Sequence, residues 1–357
     1  MHTREFFLGS VLFLASTLLL VGLFEVVFRI GLFSDSLAIK QLRQPWRFAD
    51  SSYDDDYWKL SFLFAAGKEA QRVGFIDPDL GWAPKQSPEN PLGLVSDTPY
   101  LTEDIHRPIL FYGDSFVAGA SPIPDRIPQQ LDRVVQDRSV LNYGVGGYGV
   151  DQIYLRYLKT AGQFQDPIVL VGILTSDLDR TILKIRTGQK PLLEFRDGEM
   201  IVDNLPILAS TRGYIEKNPP EISSYFLRFV MFRLRPWIPD IWFDSWYGYK
   251  QKHQRKLGVN HRILQALKID AENRNIVLRV VIFYSKKELA EEGWREEFLK
   301  KTLNDLDIPY FDTKQHLLDY TQKETLHLDD LYYQANGHPN PKGNEVIANG
   351  IAEWLSH

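Results

Sequence analysis

A serine on a short turn and a histidine near the carboxyl terminus have the residue types that nucleophilic ester chemistry needs. Ser115 follows Gly113 and Asp114 at the end of an apolar run, and His338 lies in a loop that precedes a helical pattern. A serine hydroxyl on such a turn lies beside a helix amino terminus, and it can attack a carbonyl once a base removes its proton. His338 is the natural base. Taken alone, the Gly-Asp-Ser triplet also fits an ordinary turn that ends a strand.

A glycine-rich segment, Gly144 to Gly149, is the second group of residues that could take part in chemistry. Because glycine lets backbone N–H groups approach a ligand closely, this turn could hold the oxyanion that forms when a carbonyl is attacked. The same spacing satisfies the dinucleotide-binding pattern Gly-x-Gly-x-x-Gly. That pattern needs an acidic residue about 20 positions on, at the end of the next strand. Asp166 has the distance but precedes its strand, so we favour the oxyanion interpretation.

Alternating apolar runs and helical patterns must position these residues. The runs predict buried strands at 108–112, 139–143, 167–174, 276–284 and 308–311, and the patterns predict helices at 128–137, 150–161 and 342–355. Strands that alternate with helices predict a parallel sheet covered on both faces. In such sheets the reacting groups gather at the carboxyl ends of the strands, where Ser115, the glycine turn and Thr175-Ser176-Asp177 fall.

Two further regions are interpreted from their composition. Residues 34–105 have no regular pattern and predict an extended connection, in which Asp54-Asp55-Asp56 is interpreted as a solvated turn. Residues 190–260 form an insertion that interrupts the alternation. It begins with a predicted hairpin around Asp197-Gly198 and continues, from 205 to 260, with a segment rich in aromatic residues and arginine. We interpret that segment as a covering layer, with a lid or a membrane-facing surface as the alternatives.

The amino-terminal segment has the length and composition of a membrane span. Nineteen residues, from Phe6 to Phe24, carry no charge. As a helix they would extend roughly 28 Å, close to the thickness of a hydrocarbon core. Glu25 and Arg29 follow, and they could pair at the interfacial end of the same helix. A cleaved signal peptide is the alternative, but its apolar region is usually shorter, about 7–15 residues. We predict an uncleaved anchor over residues 1–33.

Composition excludes several classes of function. Lys and Arg number 41 and Asp and Glu number 46, which gives a net charge of −5 without a basic block, so we predict no nucleic-acid partner. The chain has no cysteine, which excludes disulfides, thiolate nucleophiles and thiolate metal sites. With 44% hydrophobic and 24% charged residues, the chain is typical of globular proteins. The chemistry outlined above needs no metal or organic cofactor.

Four segments, taken in order, resemble the motif blocks of the SGNH, or GDSL, hydrolase superfamily. They are FYGDSFVAG, LNYGVGGYG, GILTSDLDR and GHPNPKGNEVIA. The resemblance covers about residues 107–357, and the apolar amino terminus that ends in Glu25 and Arg29 is similar to that of anchored bacterial members. It implies a three-layer, flavodoxin-like α/β fold with a central parallel sheet over residues 106–357.

The resemblance also implies roles for individual residues. Ser115 corresponds to the nucleophile of the family, and His338 corresponds to its general base. The oxyanion glycine of the second block lies five residues after an asparagine, which makes it Gly147, counted from Asn142. The backbone N–H of Ser115 would be a further oxyanion donor.

Two positions depart from the family pattern. The oxyanion asparagine of the third block is Ser176 here, whose hydroxyl donates one hydrogen bond from a shorter side chain. The aspartate that orients the histidine falls on Asn336 or Ala335. Asn336 could accept from the imidazole through its amide oxygen but would not stabilise imidazolium as a carboxylate does. Asp330, or its neighbour Asp329, is the possible substitute. These departures predict either a weakened triad or a Ser–His dyad.

Together these observations predict a serine esterase that acts on a small-molecule or glycan ester, with a short acyl group on a carbohydrate or lipid as the expected substrate class. An O-acyltransferase with the same site, and a catalytically weakened carbohydrate-binding or assembly protein on the same fold, stay open as alternatives.

The orientation of the predicted single-pass anchor is judged from two opposing signals. Arg4 precedes the span, and four basic residues follow it, Arg29, Lys40, Arg43 and Arg47. By the positive-inside rule this count argues against export of the large domain. The resemblance to anchored bacterial members argues for export, and we predict an extracytoplasmic catalytic domain on that basis.

Overall fold

The computed structural model describes residues 2–34, 36–65, 75–96, 105, 107–135, 137–335 and 337–357, with side chains from Glu5 onward. Its helices are α1 (His2–Phe33), α2 (Asp55–Phe64), α3 (Ser115–Ala118), α4 (Ile127–Val134), α5 (Val150–Thr160), α6 (Asp177–Arg180), α7 (Thr211–Lys217), α8 (Tyr225–Leu234), α9 (Asp240–Tyr247), α10 (Tyr249–Asn273), α11 (Trp294–Asp305), α12 (Thr313–Glu324) and α13 (Pro341–Leu355). Its strands are β1 (Phe75–Asp77), β2 (Gly81–Ala83), β3 (Ile109–Gly113), β4 (Val140–Gly144), β5 (Ile168–Leu174), β6 (Leu192–Arg196), β7 (Glu199–Asp203), β8 (Val277–Phe283) and β9 (Tyr310–Asp312).

Five parallel strands form the central sheet in the order β4-β3-β5-β8-β9. Numbered by their position along the chain, these strands run 2-1-3-4-5, which is the order of flavodoxin-like, doubly wound sheets. In register, Ile109 of β3 pairs with Val140 on one side and with Ile168 on the other. Each strand lies within or beside one of the five predicted apolar runs. The predicted α/β fold with a central parallel sheet is therefore confirmed.

The apolar runs form strands because both faces of the sheet are covered. Every residue of β3 and β4 is buried, as expected for strands of a parallel sheet with helices on each side. The chain places β4 on one side of β3 and β5 on the other, so the order reverses between β3 and β5, and right-handed crossovers place α4 on one face and α5 on the other. α13 packs against α4. Open sheets of this kind bind ligands where the order reverses, beyond the carboxyl ends of the strands.

The chain forms two compact units. The first comprises Met1–Gln71 and Ser210–Lys252, and the second comprises Arg72–Ala209 and His253–His357. The predicted hairpin is present as β6 and β7, with Leu192 paired to Asp203, and it belongs to the second unit. Most of the aromatic segment that follows the hairpin belongs to the first unit. Residues 2–33 and most of the aromatic segment thus belong to the same compact unit.

The first unit has a small apolar core of its own. The residues buried together there are Leu32, Phe48, Leu60, Phe64, Ile222 and Tyr225. The acidic run Asp54-Asp55-Asp56 is not the solvated turn that we predicted, because it starts α2: the Asp54 carboxylate accepts a hydrogen bond from the Asp56 backbone N–H at 3.0 Å. Carboxylates stabilise a helix amino terminus, where backbone N–H groups lack partners. Asp56 itself is buried and pairs with Lys59 at 3.5 Å.

The last turns of α1 are built into the first unit. The Glu25 carboxylate accepts hydrogen bonds from the backbone N–H groups of Tyr225 and Phe226, at 3.1 and 3.0 Å, and so caps the amino terminus of α8. Arg29 donates to the same carboxylate at 2.6 Å, which confirms the predicted pair. Leu32 is fully buried. The stretch Glu5–Phe33 is long and apolar enough to cross a membrane, a property that anchors and signal sequences share.

Candidate active site

Strand ends bring the predicted residues together at one edge of the central sheet. β3 leads directly into Asp114 and Ser115, β4 into the glycine turn that ends at Gly149, and β5 into Thr175 and Ser176. The loop before α13 brings in His338, and its β-bridge from Tyr332 to Pro339 holds both flanks of that loop together. Four segments that are far apart in the sequence thus contribute to one site.

The Ser115 hydroxyl and the His338 imidazole are in hydrogen-bond contact. The distance from Ser115 Oγ to His338 Nε2 is 2.9 Å. The imidazole ring also packs against the ring of Phe116, with 4.8 Å between the centroids, so the residue after the serine helps to hold the histidine in place. A nucleophile and a general base need this distance, because the proton passes directly between the two atoms.

Asp114 holds the turn that presents Ser115. Its Oδ1 accepts a hydrogen bond from the Phe116 backbone N–H at 2.8 Å, which caps the short helix α3. Its Oδ2 lies 3.3 Å from Ser115 Oγ. A hydroxyl has one proton to donate, and the shorter contact, to His338, is the one that activation of the serine requires. The expectation that Asp114 fixes the turn agrees with this geometry.

Arg180 is a buried residue of the site to which the sequence analysis gave no role. Its Nη1 lies 3.0 Å from Asp114 Oδ2, 2.5 Å from Asp177 Oδ1 and 2.6 Å from the backbone oxygen of Tyr148. One guanidinium therefore joins the turns that follow β3, β4 and β5. The sequence signal for this residue is an arginine that ends the segment Thr175-Ser176-Asp177-Leu178-Asp179-Arg180, three positions after Asp177, and nothing in that pattern shows the distant partners.

The charges around Arg180 do not balance. Two carboxylates, Asp114 and Asp177, share this guanidinium in the interior, and both are fully buried. Burial raises the pKa of Asp177 well above its ordinary value; Arg180 opposes the rise and the charge of Asp114 adds to it. The Leu174 backbone N–H also donates to Asp177, at 3.0 Å. The site therefore depends on Arg180 for its electrostatic stability.

Gly147 has a conformation that only glycine adopts without strain. Its φ is +86°, and a Cβ placed on it would lie 2.6 Å from Thr187 Oγ1 and 2.9 Å from Arg186 Nη1. The preceding carbonyl, of Gly146, accepts a hydrogen bond from the indole N–H of Trp82 at 3.0 Å. Trp82 thus holds the turn in place, and a backbone N–H that stabilises an oxyanion needs such a fixed position.

Ser176 lies at the amino terminus of α6 and is partly exposed. Its Oγ is 3.5 Å from Nη2 of Arg180, a long contact in which the guanidinium donates. Because Arg180 also contacts Asp114, which contacts Ser115, a continuous chain of polar groups links the two serines. The third predicted oxyanion donor is therefore part of the same cluster as the predicted nucleophile.

Asn336, Asp330 and Asp329 are the residues predicted to orient the His338 ring. Asn336, the predicted candidate, lies outside the described residues. Asp330, the predicted substitute, forms a capping box in which it accepts from the backbone N–H of His327 at 3.0 Å. Asp329 pairs with Lys286 at 2.5 Å. The His338 backbone oxygen accepts from Tyr333 N–H at 2.8 Å, which fixes the loop itself.

Among the residues that the structure describes, no three or more His, Cys, Asp or Glu side chains are grouped so that they could hold a metal ion.

Solved structures that are similar to the chain include GDSL lipolytic proteins and acetylxylan esterases. A lipolytic protein of the G-D-S-L family from Desulfitobacterium hafniense has 13% sequence identity, covers 70% of this chain and 99% of its own, and gives a TM-score of 0.39. A catalytic mutant of an acetylxylan esterase from Geobacillus stearothermophilus has 15% identity, with 71% and 95% coverage and a TM-score of 0.40. A lipase/acylhydrolase from Enterococcus faecalis has 12% identity, with 70% and 95% coverage and a TM-score of 0.39.

No protein-family model and no curated protein matches the chain. At these identities and TM-scores, the likeness to the solved structures does not indicate a substrate or catalytic residues for this chain.

Proposed function

We propose that this chain is a membrane-anchored serine esterase that removes a short acyl group, such as acetyl, from a carbohydrate or lipid ester. The observation that carries this proposal is the 2.9 Å contact between Ser115 Oγ and His338 Nε2, two residues 223 positions apart in the sequence. A hydroxyl and an imidazole at this distance, at the carboxyl edge of a parallel sheet, have the geometry of a nucleophile and its base.

The proposed reaction has two steps. Ser115 Oγ attacks the ester carbonyl carbon while His338 Nε2 takes the hydroxyl proton, and the carbonyl oxygen becomes an oxyanion. As the oxyanion collapses, His338 gives its proton to the leaving alkoxide and the acyl group stays on Ser115. Water then attacks the acyl carbon while His338 takes a proton from this water. The bond between the acyl carbon and Ser115 Oγ breaks, and His338 returns the proton to Oγ. A sugar hydroxyl in place of water would complete an acyl transfer instead.

Three donors would hold the oxyanion: the backbone N–H groups of Ser115 and Gly147 and the hydroxyl of Ser176. Arg180 is a positioning residue in this proposal, since its guanidinium donates towards Ser176 Oγ at 3.5 Å. Because the Ser176 oxygen accepts from Arg180, the hydroxyl proton of Ser176 is free to point away from the guanidinium. We propose that this proton points at the oxyanion. Asn336 stays the predicted partner of the His338 ring, with Asp330 as the substitute.

Replacement of Ser176 by alanine is expected to lower kcat by about 10²-fold with little change in KM, because one oxyanion donor is lost only where charge develops. Ser176→Thr keeps the hydroxyl and is the matched control, which we expect to retain most of the activity. Steady-state kinetics on p-nitrophenyl acetate would measure both variants. An alanine variant within about threefold of the parent would mean that this hydroxyl is not an oxyanion donor.

The test of the proposed activity uses the full chain in detergent micelles, because residues 25–33 belong to the folded core of the first unit. We expect turnover of p-nitrophenyl acetate, with a lower rate on the butyrate, and labelling of Ser115 by a fluorophosphonate. Labelling without turnover would favour an acyltransferase that awaits its acceptor. If neither occurs, the esterase proposal is wrong, and a carbohydrate-binding or assembly protein becomes the better interpretation.

We also propose that α1 is a retained anchor rather than a cleaved signal, with the catalytic domain on the extracytoplasmic side. The supporting observation is that Glu25 caps α8 and Leu32 is buried in the core of the first unit. Cleavage after the apolar run would remove Phe24, which stacks on Phe226 of α8, and cleavage after Phe33 would remove Glu25 and Leu32 as well. Chain purified from membranes is therefore expected to have an intact mass that includes residues 2–33. A mature chain that begins after Phe33 would contradict the anchor.

A further inference from the structure

Exposed tryptophan side chains are concentrated in one part of the molecule. Of the eight tryptophans in the chain, the four that are exposed all belong to the first unit: Trp46, Trp237, Trp242 and Trp246. Trp237 and Trp242 are 73% and 70% exposed, which is unusual for so large an apolar side chain. Three of the four lie within ten positions of one another, so they form a local patch rather than scattered contacts.

Helix α9 explains this patch because it is apolar on both of its faces. Its inner face buries Phe243 and Tyr247, which are one turn apart. Its outer face presents Ile241, 67% exposed, together with Trp242 and Trp246. A helix on the surface of a soluble protein normally has a polar outer face, whereas on α9 the exposed polar residues Asp240 and Ser245 lie among three exposed apolar ones. We name Trp237, Ile241, Trp242 and Trp246 the aromatic face.

The aromatic face lies one helix away from the segment that is apolar enough to cross a membrane. Phe24 of α1 stacks on Phe226 of α8, with 5.0 Å between the ring centroids. On α8, Phe232 contacts Phe243 of α9 at 5.6 Å. Helix α8 thus contacts α1 through one set of rings and α9 through another. The charged residue Glu25 marks the end of the apolar run of α1, and it is bonded to α8 itself.

We propose that the aromatic face lies in the headgroup region of the lipid bilayer that α1 crosses. Because α1 enters the first unit at Glu25, at the end of its apolar run, the unit has to lie against the membrane surface at that point. Tryptophan is enriched at this depth because its ring is apolar while its N–H finds polar partners. Arg233 and Lys250, both exposed, flank the face in sequence and suit anionic lipid headgroups. The exposed carboxylate of Asp240 is paired with Arg235 at 2.7 Å.

A second copy of the chain, or another protein, could also cover an apolar face. The continuity with α1 favours lipid, because the same compact unit holds both the membrane-crossing candidate and the face, and α8 contacts both of their helices. This inference rests on the proposed anchor and not on the esterase chemistry. Residues 205–260 were interpreted above as a covering layer, with a lid or a membrane-facing surface as the alternatives. The inference favours the membrane-facing surface for this part of the segment.

The test uses the full chain with a single fluorophore, which the absence of cysteine makes straightforward. Ser245→Cys places the label on the outer face of α9 between Trp242 and Trp246, and it leaves every aromatic side chain in place. Glu216→Cys, on the charged outer face of α7, is the matched control in the same unit. Leu20→Cys, within α1, reports whether the anchor is embedded. Each variant is labelled with NBD and reconstituted into phosphatidylethanolamine–phosphatidylglycerol vesicles that contain doxyl-labelled lipid.

We expect doxyl groups near the lipid headgroup to lower the emission at position 245 by about twofold, since an interfacial ring lies at that depth. Position 216 should be unaffected, and position 20 should be quenched by deep doxyl groups. Quenching at 20 without quenching at 245 would overturn the aromatic-face proposal and leave the anchor intact. No quenching at either position would overturn both. A blue-shifted emission at 245 that depends on protein concentration, without quenching, would overturn the lipid assignment in favour of a second copy.

Discussion

Replacement of Ser115 by alanine is expected to lower kcat/KM for p-nitrophenyl acetate by about 10⁴-fold or more, because the acyl-enzyme can no longer form. His338→Ala is expected to cause a loss of similar size. The reason lies in the 2.9 Å contact between the two side chains: the serine hydroxyl is a weak nucleophile until the imidazole takes its proton. The measurement is initial-rate kinetics on the purified full chain in detergent.

The double variant makes this prediction sharper. Residues that act as one unit have strongly non-additive effects, so Ser115→Ala with His338→Ala should lose no more activity than either single variant. Ser210→Ala is the matched control: it also removes a serine hydroxyl that accepts a backbone hydrogen bond, at the amino terminus of α7, and should leave the rate unchanged. The proposed roles would be contradicted if the loss in the double variant equalled the product of the two single losses. They would also be contradicted if the Ser115→Ala enzyme kept its activity.

The fold could be predicted largely from the sequence because buried parallel strands have a strong local pattern. The run from Pro167 to Leu174 is apolar at nearly every position, and the structure has β5 at Ile168–Leu174. The hairpin was likewise predictable from Asp197 and Gly198, which both have positive φ in the turn between β6 and β7. In each case one local signal determines the element, with no need for knowledge of distant contacts.

Elements whose stability comes from distant contacts were missed. Asp54-Asp55-Asp56 looks like a solvated turn in isolation, yet Asp56 is buried, and its carboxylate accepts a hydrogen bond from the backbone N–H of Glu221 at 2.9 Å. Helix α2 is therefore stabilised by a segment 165 positions further along the chain. The membership of residues 210–252 in the first unit also depends on contacts with the amino-terminal region, which is distant in the sequence.

The same distinction applies to the candidate site. Ser115 and His338 were found because each lies in a short motif at a strand or helix end. Arg180 was missed because its importance comes from a carboxylate 66 positions earlier, on another strand end. Charged side chains are rarely found in the interior without partners, so a buried arginine can be interpreted only once those partners are known.

Replacement of Arg180 by methionine is expected to lower the free energy of unfolding by about 3–5 kcal/mol, the usual cost of removing one partner from a buried ion pair. Methionine fills a similar volume, so the loss is chiefly electrostatic: Asp114 and Asp177 stay buried with no cation between them. Thermal unfolding of the full chain in detergent, together with hydrogen exchange of the amides that follow β3 and β5, would locate and measure the loss.

The pH dependence of this variant separates charge from packing. Burial already raises the pKa of Asp177 in the folded chain, and removal of Arg180 takes away the group that opposes the rise. A carboxyl whose folded-state pKa is raised binds more protons in the folded than in the unfolded chain. Its contribution to stability therefore falls as the pH rises from its unfolded-state pKa through its folded-state pKa. The Arg180→Met variant is therefore expected to become more stable, relative to the parent, as the pH is lowered from neutrality.

A charge-neutral variant completes the test. Asparagine can replace Asp114 as the cap of α3, and it can accept from the Leu174 N–H in place of Asp177. Addition of Asp114→Asn and Asp177→Asn to Arg180→Met removes both carboxylates and should restore most of the lost stability, because no buried charge is left unpaired. If this triple variant is as unstable as Arg180→Met alone, the loss comes instead from the 2.6 Å hydrogen bond to the Tyr148 backbone oxygen and from packing. Arg180 would then stabilise the glycine turn of the site rather than its charges.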